Sequence, residues 1–118
     1  MRQIGKRAGW GDVMKMIRAM IRPEKEAEVA TALERVGCGA LTKWDVLGRG
    51  RQRGIQVGSA VYGELAKVSL MLVVSDEDVS KAVDAILKGA RTGYPGDGRI
   101  FVSDVKASYT IRTGKADQ

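Results

Sequence analysis

The stretch Leu70-Met71-Leu72-Val73-Val74-Ser75-Asp76-Glu77-Asp78-Val79 changes period part-way along, and that change decides the fold. Leu70 to Val74 is an unbroken apolar run, which reads as a buried strand starting near Lys67. Ser75-Asp76-Glu77-Asp78 has the form of a capping box, with Ser75 as N-cap and Asp78 three residues on. Val79, Ala82, Val83, Ile86, Leu87 and Ala90 then fall on one helical stripe. The same plan stands earlier in the chain. Met16 to Ile21 is a short, mostly apolar strand ended by Arg22-Pro23. Pro23 suits the first turn of a helix, and Glu24 and Glu26 lie near the positive end of its dipole. Val29, Ala30, Leu33 and Val36 continue at helical spacing until Gly37 stops the helix.

Two more strands complete the pattern. Thr42, Trp44 and Val46 alternate with Lys43 and Asp45, as in a half-exposed strand. Ile100-Phe101-Val102 opens another after a Gly-rich turn at Gly93–Gly98, and Tyr109-Thr110-Ile111 reads as a short edge strand. The order strand, helix, strand, strand, helix, strand predicts an α+β fold of the ferredoxin-like split β-α-β (βαββαβ) class with an antiparallel sheet. Two helices cover one sheet face. The other keeps large apolar side chains, so a homo-oligomer is expected. The domain is placed at residues 14–118. Residues 1–13, with three Gly and three basic residues, read as a flexible extension, and Met14 or Met16 is an alternative start.

The 118 residues suit one domain, and 44% hydrophobic with 29% charged residues is ordinary globular composition. No apolar run approaches the roughly 20 residues of a membrane span. The lone Cys38 has no partner for an internal disulfide, which fits a reducing, cytoplasmic setting. Without histidine and with one cysteine, the usual zinc sites and His-based acid–base catalysis are excluded. Twenty Lys and Arg against 14 Asp and Glu give a net charge of +6, which asks for an anionic partner. Of that surplus, +2 lies in Met1–Val13 and +3 in Lys43–Lys67. The excess is therefore no broad basic face for nucleic acid.

The middle of that basic region is unusual. Gly48 to Ala66 has no helical or strand pattern, and its 19 residues exceed the roughly 12–15 at which structureless loops become uncommon. It begins Gly48-Arg49-Gly50-Arg51-Gln52-Arg53-Gly54, which suits either a solvated loop or an oxyanion site built from backbone N–H groups and forked Arg donors. Thr92-Gly93-Tyr94-Pro95-Gly96-Asp97-Gly98-Arg99 is the second candidate. Its glycines have P-loop spacing, but Arg99 and Ile100 replace the Lys and Ser/Thr, and a strand follows in place of a helix. A Gly-rich turn ending in a fixed cation remains. In the split β-α-β plan, Arg51, Arg99 and Arg112 can converge on one polyanion, within a subunit or across a subunit boundary. Lys67 stands at the far root of the long loop, where it can meet a second anion held by that loop. Cations without a nucleophile–base pair make a site that binds and does not turn over.

From Met16 to Gly114 the chain resembles the PII signal-transduction proteins, trimeric sensors of ATP/ADP and 2-oxoglutarate. The resemblance rests on Ile21-Arg22-Pro23, on Gly48 to Gly54, on Thr92-Gly93 with Gly96-Asp97-Gly98-Arg99-Ile100-Phe101-Val102, and on Ile111-Arg112-Thr113-Gly114. It implies a T-loop at about residues 48–66 and a B-loop at about 92–99. It places ATP or ADP between neighbouring subunits, with Thr42 and Gly48 on the adenine and ribose side. Gly50, Arg51, Gly96, Asp97, Gly98, Arg99 and Arg112 would form the rest of the nucleotide site. Gln52 would coordinate Mg²⁺ together with ATP and 2-oxoglutarate, and Lys67 would pair with a 2-oxoglutarate carboxylate.

The chain departs from the common pattern at several points. The T-loop is shorter, so Tyr62 is out of register with the tyrosine that is uridylylated elsewhere in the family. Arg99 stands where Lys is usual and Thr110 where Arg is usual. Gly54-Ile55-Gln56-Val57-Gly58 and Tyr109-Thr110-Ile111-Arg112 resemble the nitrogenase-linked branch. That likeness implies a homotrimer, or a mixed oligomer with a PII paralogue, that controls nitrogenase through the T-loop. An ammonium transporter or a nitrogen-assimilation enzyme is the alternative target. A ferredoxin-like RNA-binding module lacks its stacking aromatics here, and an acyl phosphate hydrolase lacks its loop motif.

Overall fold

The computed structural model describes residues 14–49 and 65–117. Strand β1 (Met14–Ile21) leads through a 3₁₀ turn at Pro23–Lys25 into helix α1 (Glu26–Arg35). Strands β2 (Thr42–Gly48) and β3 (Leu65–Ser75) follow. A second 3₁₀ turn at Asp76–Asp78 enters helix α2 (Val79–Ala90), which is succeeded by β4 (Arg99–Asp104). Short strands β5 (Tyr109–Thr110) and β6 (Lys115–Ala116) close the chain. The main sheet has the order β2-β3-β1-β4, with each neighbouring pair antiparallel. This is the expected ferredoxin-like α+β arrangement.

Both helices begin in the same way, through a 3₁₀ turn carrying acidic residues. The expected capping box does not form. Ser75 is extended and its side chain makes no capping hydrogen bond, because the 3₁₀ turn stands between it and the helix. At the other end of α1 the expected stop is present. Cys38 N–H donates to Leu33 O (2.9 Å) and Gly37 N–H to Glu34 O (3.0 Å), with Gly37 at φ 81°. This is the two-bond Schellman closure, which needs a left-handed residue and so favours glycine.

Ile17, Ala19 and Ile21 pair with Leu72, Leu70 and Val68, so these six side chains share the helix-covered face. Val29 and Leu33 of α1 and Ala82, Ala85, Ile86 and Ala90 of α2 complete the core. The contact stripe of α2 is turned from the expected one. Ala85 and Gly89 are buried while Leu87 is 50% exposed. Gly89 lies against Val29, where an added Cβ would sit 3.1 Å from the Val29 Cα. The two helices meet on that small-residue side, and Leu87 is left outside.

The opposite face carries Arg18, Met20, Trp44, Ser69, Met71 and Phe101, by the pairings of Arg18 with Met71 and Phe101 and of Trp44 with Ser69. No described helix covers it. Among the described residues, the buried Arg18 Nε and Ser69 Oγ have no hydrogen-bond partner. The Arg18 guanidinium stands 5.7 Å from the centre of the Trp44 ring. Tyr109 and Thr110 do not extend this sheet as the expected edge strand. They pair with Lys115 and Ala116 in a separate hairpin, closed by Gly114 at φ 72° and its N–H to Thr110 O (2.8 Å). No described helix is long and apolar enough to cross a membrane.

A basic, glycine-lined cleft at the end of the sheet

A cleft of about 790 Å³ opens where β1 ends, β2 and β3 reach their loop-side ends, and β4 begins. Gly48 at the end of β2 and Arg49 just after it line the cleft, with Lys67 from β3, Gly96 to Gly98 from the turn after α2, and Arg99 at the start of β4. Antiparallel pairing makes this meeting unavoidable. Gly48 stands opposite Leu65 and Arg99 opposite Met20, which brings the roots of two sequence-distant loops to one end of the sheet.

The geometry requires glycine at one position here and favours it at another. Gly98, at φ 107°, passes so close to β1 that a Cβ would overlap the Met20 carbonyl oxygen. Gly48 leaves room for the Lys67 stem, since a Cβ there would lie 3.2 Å from Lys67 Cγ. The Lys67 ammonium donates to the Gly96 carbonyl and so ties the end of the long loop to the Gly-rich turn. Burial, then the positive charge of Arg22, pushes the Lys67 pKa down.

Asp97 is the most heavily bonded group in the turn. Its Oδ1 accepts from Thr92 Oγ1 (2.5 Å) and Arg22 Nε (3.1 Å). Its Oδ2 accepts from the Thr92 N–H (2.9 Å) and the Gly93 N–H (2.8 Å). The Thr92 hydroxyl is the largest of the effects holding this carboxyl below the usual carboxylate range, and the two backbone N–H groups and Arg22 add to it. Arg22 also donates from Nη2 to the Pro95 carbonyl (2.9 Å). The cationic residues lining the cleft are Arg49, Lys67 and Arg99.

Of the residues singled out in the sequence, Gly48, Lys67, Gly96, Asp97, Gly98 and Arg99 all line this cleft. Thr42 does not. It lies at the other end of β2, opposite Met71 on the uncovered face. Arg112 does not either; it is exposed in the turn of the β5–β6 hairpin. Gly50, Arg51 and Gln52 lie outside the described residues, as do Tyr62 and residues 1–13. Arg22, within the motif Ile21-Arg22-Pro23, is a site residue that the sequence motifs do not single out. The overlooked signal is its place directly after a strand and before Pro23, which fixes the backbone at φ −67°, ψ 139°.

Fold and cleft together define a ferredoxin-like α+β protein with a basic, glycine-lined cleft at one end of its sheet. Residues 14–115 match the family model described as nitrogen regulatory protein P-II, and the chain belongs to that family. It is 53% identical over 102 residues to the nitrogen fixation nifHD1 region GlnB-like protein 1 of Methanosarcina barkeri, covering 86% of this chain and 97% of that protein. It is 54% identical over 100 residues to the nitrogen fixation nifHD region glnB-like protein 1 of Methanococcus maripaludis, covering 85% and 95%. Among solved structures, Arabidopsis thaliana PII bound to citrate superposes with a TM-score of 0.74 at 31% identity, covering 91% of this chain and 88% of that one.

Proposed function

We propose that this P-II family chain is a binding protein that reports nitrogen and energy status by holding ATP or ADP, with 2-oxoglutarate, in the cleft at the sheet end. The observation that carries the reading is the convergence of Gly48, Lys67, Gly96, Gly98 and Arg99 in one cleft with a surplus of positive charge. Left-handed glycines admit a phosphate close to the main chain, and Arg99 supplies a fixed guanidinium fork. The residues present fit a polyphosphate. A bound Mg²⁺ would neutralise phosphate charge, with Gln52 as its ligand from this chain.

Thr42 and Arg112 stand away from the cleft of their own chain, and in this reading they serve the cleft of a neighbouring subunit. The uncovered sheet face supports an oligomer, either a homotrimer or a mixed assembly with a PII paralogue. It exposes Trp44, Val73 and Phe101, and it buries Arg18 Nε and Ser69 Oγ without partners, which an adjoining subunit can supply. The target is nitrogenase, a choice supported by the nif-region names of relatives at about half identity. The protein works in the cytoplasm, the domain spans residues 14–118, and the T-loop carries the signal.

Two ligands sharing one metal ion are thermodynamically coupled, so each raises the affinity of the other. Calorimetric titration with 2-oxoglutarate, with and without MgATP, tests this. Tighter binding in the presence of MgATP is expected, and equal affinity overturns the shared-metal site. Gln52→Ala is expected to abolish 2-oxoglutarate binding and leave most ADP binding. Loss of both together would assign Gln52 to loop structure.

A further inference from the structure

Asp97 sits in a turn that receives anions under the reading above, yet it is itself an anion. Its bonding resolves the conflict. A carboxylate offers about four lone-pair sites, and four donors occupy them here: Arg22 Nε, Thr92 Oγ1 and the N–H groups of Thr92 and Gly93. Both oxygens are therefore committed to the interior of the turn, and the nearest cation neutralises the charge. We propose that Arg22 is a positioning residue for phosphate binding, which acts through Asp97 and the Pro95 carbonyl to hold the Gly-rich turn in its anion-receiving shape. Asp97 is then an internal strut and no ligand contact.

Arg22 is suited to this work in three ways. First, Pro23 confines its backbone to the extended region, so the direction in which the side chain leaves is fixed before any ligand arrives. Second, its fork reaches two acceptors two residues apart, Asp97 Oδ1 at 3.1 Å and Pro95 O at 2.9 Å. A lysine ammonium is a point donor and cannot reproduce that span with the same geometry. Third, the turn packs onto the guanidinium itself, since a Cβ at Gly96 would lie 3.3 Å from Arg22 Nη2. Lys67 adds a tie to Gly96 from β3. Because Gly98 and Arg99 directly follow the strut, fixing Asp97 against β1 also fixes how the chain enters β4. The site that takes a phosphate is thus set by a residue 75 positions earlier in the chain.

The inference rests on the nucleotide reading, and its test separates the two. The full chain is titrated with MgADP in the wild type, in Asp97→Asn and in Arg22→Lys. Amide hydrogen exchange at Thr92 and Gly93 is followed by NMR without ligand. On electrostatics alone, removing a negative charge beside an anion site raises affinity, and Arg22→Lys keeps the charge and changes little. Positioning predicts the opposite for both. MgADP affinity falls about tenfold or more in each variant, and the Thr92 and Gly93 amides exchange about tenfold faster or more. Melting curves establish that the variants are folded, and the lysine variant keeps the test open if Asp97→Asn is not. Unchanged or tighter MgADP binding in Asp97→Asn, or full retention in Arg22→Lys, overturns the proposal. A wild type that binds no MgADP overturns the nucleotide reading instead. The exchange rates then still decide whether Arg22 anchors the turn.

Discussion

Two turns of this protein are built around an aspartate, and they are secured in different ways. In the Gly-rich turn, Asp97 accepts from Thr92 and Gly93 and also from Arg22, at the far end of β1. In the C-terminal hairpin, Asp117 accepts from Ser108 Oγ (2.5 Å) and from the Thr110 hydroxyl, and its own N–H donates to Ser108 O (2.7 Å). Every one of those hairpin partners lies within nine residues. The hairpin is closed on itself, whereas the Gly-rich turn is closed and also bolted to the sheet. A local clasp fixes the shape of a segment. A long-range tie fixes where that shape stands relative to everything else, which is what a binding site needs.

The largest expected difference comes from glycine substitutions. Gly98→Ala brings a Cβ into the Met20 carbonyl at a positive φ, and overpacking with backbone strain should cost about 3 kcal/mol or more in urea unfolding. Gly114→Ala has open space around it, so the left-handed backbone alone should cost about 1 kcal/mol. Equal losses would break the distinction between bolted and free-standing turns.

Acid titration should give the next largest contrast. Both carboxyls lie below the usual range, so both favour the folded state at neutral pH. That contribution is lost as pH falls through the folded-state value of each. The Thr92 hydroxyl, the backbone amides and Arg22 lower Asp97 further than the Ser108 and Thr110 hydroxyls lower Asp117. Carboxyl carbon shifts followed by NMR should therefore show Asp117 protonating first on acidification and Asp97 last. The reverse order would mean that the Thr92 hydroxyl, the two backbone amides and Arg22 together do not hold the Asp97 carboxylate as the structure shows.

The smallest effect is expected from Thr110→Val. Loss of one hydroxyl from the half-buried hairpin clasp should cost about 1 kcal/mol, the typical net worth of one hydrogen bond, because Ser108 still holds the Asp117 carboxylate. The Asp117 titration should move back toward the ordinary value while that of Asp97 stays in place. A shift at Asp97 would reveal a link between the two turns that the fold gives no reason to expect.

The strands and helices were legible because each carries its own period. Ile17, Ala19 and Ile21 alternate into the core, and Val29 and Leu33 recur at helical spacing. The strand after Gly39 was equally clear, but the side to which Trp44 points was not. Alternation separates two faces without saying which one meets the helices. The stripe of α2 departs from the apolar pattern at Leu87 because hydropathy gives the small residues Ala85 and Gly89 little weight, whereas their value lies in letting Val29 come close. The Ser75 cap failed for a similar reason. A capping box specifies a bond to an α-helical third residue, and here the chain first makes a 3₁₀ turn.

Composition and spacing by themselves determined that this is a small α+β domain with half of its surplus charge in the stretch Lys43–Lys67. They also marked the glycine and arginine motifs that signal the P-II family. Those properties are local, so they are written in neighbouring residues. The tertiary structure alone decided that Gly48, Lys67 and Gly96 to Arg99 share one cleft and that Thr42 and Arg112 stand outside it. It also turned the Asp97 carboxylate inward, onto Arg22. The physical reason is that register, and with it the meeting of distant loops, is set by how antiparallel strands pair once their apolar faces are buried together. No stretch of chain holds that pairing by itself.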